Sequence, residues 1–214
     1  MIARDPLKDA AHFEGFIERK REWFASVRYG PRPTDFYEVI AAMYSAGYQV
    51  DDLKPVFKLW VKSIAKKLGP TPADVVYPVC FALMMGADEE ERATMRETIF
   101  RAPHHLTFSA FLAAAVGIDY PDDMTEEYRW KFFPQVRDMA TNTERQTYLG
   151  EYVKRYWYNT KRAEYWWGSH KGGSIRYFGY WAWEIAATVR AYHLDDSTFS
   201  DCKYYPTDLA HYLD

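Results

Sequence analysis

The sequence predicts an all-α protein, a compact helical bundle of about eight to ten helices. Apolar residues recur at spacings of three and four along most of the chain, while period-two alternation is almost absent. Glycine and proline clusters punctuate these segments at helical lengths. The 214 residues are 48% hydrophobic and 27% charged, a balance that builds a sizeable core and excludes intrinsic disorder. No internal repeat is visible, although paired antiparallel helices could stack as a short solenoid.

The first helix is expected from Pro6 or Asp9 to about Val27, with Phe13, Phe16, Ile17, Lys20 and Phe24 on one face. Pro31 and Pro33 forbid its continuation. Thr34 or Asp35 can cap the second, which carries Phe36, Val39, Ile40, Met43 and Tyr44 and stops at Gly47. Asp51 and Asp52 open the third, where Leu53, Val56, Phe57, Trp60, Ile64 and Leu68 form an amphipathic stripe. Its other side repeats Lys54, Lys58, Lys62 and Lys66, which reads as a solvated face. The break Gly69-Pro70-Thr71-Pro72 divides an N-terminal helical domain, 1–70, from a C-terminal one, 71–214.

Ala73 to Met85 reads as a buried helix, and Asp88 to Arg101 opens with the acids a helix N-terminus favours. Phe108 to Val116 is another buried helix, closed by Gly117. A further helix is expected to begin at Thr125, a long one to run from Thr143 to Trp166, and a central apolar one from Ile175 to Leu194. The Gly168 to Gly173 run is a turn between the last two.

Charge and motif content exclude several classes. The 27 Lys and Arg against 30 Asp and Glu leave a net charge of −3, which argues against direct nucleic-acid binding. Only Cys80 and Cys202 are present, too few for a disulfide framework or a four-thiolate zinc site. The N-terminus carries charges instead of an apolar stretch, and no run is long enough to span a bilayer, so a cytoplasmic protein without membrane contact is expected. Nucleotide-binding glycine motifs, a metalloprotease helix and a nucleophile elbow are missing. The reading is therefore non-enzymatic, with no cofactor, metal or catalytic residue. His104 and His105 precede a helix as a loop pair, and His170 reads as a structural hydrogen-bonding residue.

Glu184 stands in the apolar stretch Trp181-Ala182-Trp183-Glu184-Ile185 and needs donors if buried: tyrosine hydroxyls, indoles, Arg176, Lys171 or His170. A structural anchor is the favoured role. Acids also gather at Asp88 to Glu91, at Asp119, Asp122, Asp123, Glu126 and Glu127, and at Asp195, Asp196 and Asp201. The helix dipole accounts for the first group but less well for the second, which begins ahead of its helix. Such loops suit a basic protein partner.

The C-terminal third resembles a known family. Its carriers are Tyr156-Trp157-Tyr158, Trp166 to Lys171 including His170, and Tyr177 to Ala187, with Gly179, Tyr180, Trp181 and Glu184. Leu194 to Phe199 and the run Tyr204, Tyr205, Pro206, Thr207, Asp208 and Leu209 complete the series. Together they resemble the C-terminal domain of PoNi-type immunity proteins over about residues 148–214, with Trp183 where a Phe is expected. Arg4-Asp5 followed by Phe13 and Phe16 is similar to the companion N-terminal domain. The resemblance implies a non-enzymatic cytoplasmic antitoxin against a DNase of a contact-dependent secretion system, with those motif residues structural. Candidate toxin contacts are then the second and third acidic groups. The rival readings are an acidic adaptor or DNA mimic without a toxin, and a helical enzyme centred on Glu184 and His170. Oligomeric state and the cognate toxin are left open by the sequence.

Overall fold

In the computed structural model, residues 2–28, 30–69, 71–125, 128–171 and 175–214 are described. They form an all-helical fold in which the first six helices follow the sequence periodicity closely. α1 (Ala10–Ser26) starts where the Asp9 carboxylate accepts from the His12 N–H at 2.9 Å, and it buries Phe13, Phe16 and Ile17. α2 (Pro33–Ala46) begins at Pro33, so Asp35 is not its cap: it sits one turn in and accepts from the Arg32 N–H at 2.8 Å. Proline at the first helical position gives up a donor that would be unsatisfied anyway.

α3 (Val50–Lys66) buries Leu53, Phe57, Trp60 and Ile64 against its neighbours. On its other side Lys58 reaches Asp88 and Glu90 at 3.6 and 3.5 Å, and Lys54 lies over the Tyr212 ring. Part of the lysine stripe is thus engaged within the chain. α4 (Ala73–Met85), buried along nearly its whole length, occupies the centre. α3, α5 (Glu89–Phe100), α6 (Thr107–Val116) and α10 (Trp183–Ala191) all pack on it. The core is continuous, from Phe13 in α1 to Ala210 near the C-terminal end.

Three expected helices are corrected. None starts at Thr125, because its N–H donates to His105 O at 2.8 Å and its carbonyl accepts from Thr107, which makes an isolated parallel bridge with Leu106. The next helix is α7 (Phe132–Asp138). The long helix over 143–166 is instead α8 (Asn142–Glu151), a π-helical turn (Tyr152–Tyr156) and α9 (Trp157–Thr160), followed by turns. The π turn inserts one residue into the ladder, with the Trp157 N–H donating to Tyr152 O.

The helix over 175–194 shortens to α10, because residues 177–182 run extended. Gly179 has φ +106°, which a helix cannot accommodate. The segment's backbone is satisfied from outside: Ser45 Oγ lies 3.1 Å from Phe178 O, His12 Nε2 lies 2.9 Å from Tyr177 O, and the Ala182 N–H donates to Tyr204 O. α11 (Thr207–Ala210) closes the chain against α10 and α4. Of the glycine turn, Gly168 takes φ +75°, while Gly172 and Gly173 lie outside the described residues.

Candidate functional site

The most buried charge in the C-terminal half is Glu184, with no solvent exposure. Its Oε1 accepts from the Trp157 indole at 2.9 Å and from Lys161 Nζ at 2.5 Å, and Lys161 is itself buried. The π turn explains this meeting, since the inserted residue sets the rotation of Trp157 and of Lys161 one turn later. Lys161 was not among the donors the sequence suggested. Its four-residue spacing from Trp157 is the signal that could have found it. Arg176, Lys171 and His170 do not serve Glu184.

His170 is held by Tyr180 instead: the hydroxyl lies 3.0 Å from Nδ1 and accepts from the His170 N–H at 3.1 Å. Burial, then Lys171 and Lys203, pull the imidazole below its ordinary pKa. Glu184 and His170 therefore have separate partners and form no acid–base pair.

The remaining signature residues are braces. Gly179 lets Ser45 approach, and Ser45 Oγ accepts from the Trp181 indole at 2.8 Å. Tyr204 packs on Trp157 and Tyr158 with centroids 5.2 and 5.3 Å apart. Buried Pro206 supplies the carbonyl that receives the Leu209 and Ala210 N–H groups. Asp208 pairs with Arg4 at 2.5 Å, and Arg4 also donates to the carbonyls of Tyr44 and Tyr48. Buried Asp5 accepts from the Tyr177 hydroxyl at 2.5 Å.

The acidic candidates separate into exposed and structural groups. Asp119 is exposed and pairs with Arg96 at 3.1 Å. Asp123 is exposed and meets His105 Nδ1 at 2.7 Å, while His105 Nε2 faces Ile99 O at 3.1 Å. Asp122 is exposed, with no partner among the described residues. Glu126 and Glu127 lie outside the described residues. The loop over 119–123 is thus pinned at both ends, with its carboxylates facing solvent.

The third group divides into one buried and two exposed carboxylates. Asp196 is buried, accepts from the Tyr205 hydroxyl at 2.6 Å and meets His211 Nε2 at 2.9 Å, so it presents no charge outward. Asp195 is exposed but accepts from the Ser197 N–H at 2.9 Å, which lowers its carboxyl below the ordinary value. Asp201 is exposed. Among the described residues, no three His, Cys, Asp or Glu side chains gather as metal ligands would, and no helix is long and apolar enough to cross a membrane.

Residues 106–209 match the family model of PoNe immunity proteins (PoNi), C-terminal, so this region of the chain is similar to that family. The match reaches well ahead of residue 148 and takes in α6, the acidic loop and α7. It does not extend to the N-terminal helices, and the expected likeness of Arg4, Asp5, Phe13 and Phe16 to a companion domain is not shown. PoNi proteins provide immunity to a polymorphic nuclease toxin and are not enzymes. No curated protein and no solved structure matches the chain.

Proposed function

We propose that the chain binds and neutralises one cognate DNase toxin, delivered by a contact-dependent secretion system, in the cytoplasm where the DNA lies. The family match over 106–209 carries this reading. The acidic loop adds a mechanism. A DNase must attract a polyanion, so a partner presenting Asp119, Asp122 and Asp123 gains association rate from complementary charge. Pinning by Arg96 and His105 reduces the ordering cost of that loop on binding. Glu126 and Glu127 continue the acidic run in sequence.

The test is co-expression with the product of the adjacent reading frame, followed by co-purification and a DNA-cleavage assay. A stoichiometric complex in which cleavage stops supports the reading. A protein that neither binds that product nor protects DNA from it overturns the reading and favours an adaptor without a toxin.

A further inference from the structure

One concavity among the described residues is lined by none of the acidic-loop residues. It is a groove of about 840 Å³ between α1, the start of α2 and the turns around Tyr165. Phe16 and Phe178 form its floor, and Trp23, Tyr165 and Ile175 stand on its rim, 37%, 65% and 62% exposed. Three large exposed apolar side chains around one groove, with arginines beside them, have the composition of a binding hot spot.

Its charge differs from that of the chain as a whole. Arg19, Lys20, Arg32 and Arg176 line it against Asp35 and Glu38. Lys20 holds both carboxylates, and Arg32 also pairs with Asp35. Arg19 donates to a carbonyl, Ile175 O, and pairs with no carboxylate among the described residues. Tyr165 is fixed by its hydroxyl bond to Glu38 at 2.9 Å, so the rim is preorganised. Beyond Tyr165 lies an apolar socket of about 370 Å³, lined by Tyr37, Trp60, Leu68, Tyr77 and Trp166. Arg32, Tyr165 and Trp166 border both cavities.

We infer that groove and socket are a second contact surface for the toxin, receiving an acidic segment outside its DNA-binding cleft with one large apolar side chain in the socket. The inference rests on the toxin-binding reading. Charge complementarity selects an acidic occupant, and the socket selects the anchor. The acidic loop would meet the basic cleft, so the two surfaces would require different parts of the partner.

The experiment uses the full chain and the adjacent-frame product. Affinity is measured for the parent, Arg19→Glu and Trp23→Ala, with hydrogen exchange of the parent free and bound. Expected are at least tenfold weaker binding by each variant, unchanged exchange protection of α4 in the free variants, and new protection of parent residues 161–168 on binding. Parent-like affinity in both variants, or protection confined to residues 117–125, overturns the inference while leaving toxin binding intact. Concentration-dependent self-association abolished by Arg19→Glu assigns the groove to a second copy and also overturns it. No binding by the parent removes the toxin reading and this inference together.

Discussion

At the residue scale, the lesson of Glu184 is that a buried charge is explained by what neutralises it. The sequence made a buried carboxylate legible, since Glu184 is flanked by Trp183 and Ile185. It did not reveal Lys161, because the meeting depends on a π turn that no periodicity encodes. Glu184→Ala leaves Lys161 buried without its counter-charge and is expected to cost about 3–5 kcal/mol. Chemical denaturation measures this, and a midpoint equal to the parent's refutes it. Glu184→Leu with Lys161→Met should recover much of the loss, because no uncompensated charge remains. His211 gives a second case. Burial lowers its pKa, but its bonds to Asp214 and Asp196 outweigh that and raise it overall. A raised folded-state pKa stabilises fully below the unfolded value of about 6.5 and is lost as pH climbs through the folded value. The melting-temperature gap between the parent and His211→Gln should therefore be widest near pH 5.5 and shrink by pH 8.5. A gap independent of pH would show that the imidazole's charge does not contribute.

At the element scale, the helices from α1 to α6 were readable because apolar residues recur at helical spacing and Gly or Pro follows each within a few residues. The failures share a physical cause. Residues 177–182 are apolar on every side, and a fully buried extended segment has the same composition as a buried helix. Gly179 was the available clue. A Cβ there would lie 1.9 Å from Ser45 Oγ, on a backbone with φ +106°. Gly179→Ala should therefore destabilise the protein by about 2 kcal/mol or more, combining backbone strain with a clash inside the packed core. A melting curve indistinguishable from the parent's would mean that the segment relaxes freely. The Thr125 failure is different: the acids following it imitate a helix start, but its own N–H and carbonyl pair with residues 105–107.

At the scale of the whole molecule, the match to the immunity family was legible from spaced aromatic and acidic motifs, whose side chains hold one another in place. The proposed contact lies elsewhere, on the acidic loop, whose exposure only the fold supplies. Asp122→Lys with Asp123→Lys is expected to weaken toxin binding at least tenfold at low salt while moving the melting temperature by only a few degrees. Added salt should narrow the gap to the parent, since screening acts on both attraction and repulsion. Lys58→Glu with Lys62→Glu on the opposite charge stripe is the control. If that pair abolishes binding and the loop variant does not, the contact lies on α3. The clasp between Arg4 and Asp208 also imposes a schedule on the cell. Its halves are separated by 204 positions, so at translation speeds of about 5–20 residues per second the first waits about 10–40 s for the second. Tyr177 likewise reaches Asp5 only after the 172 positions separating them have been made. A newborn chain can therefore hold Arg4 on the Tyr44 and Tyr48 carbonyls long before residue 208 exists, and only then does the same guanidinium tie the first helices to the last one.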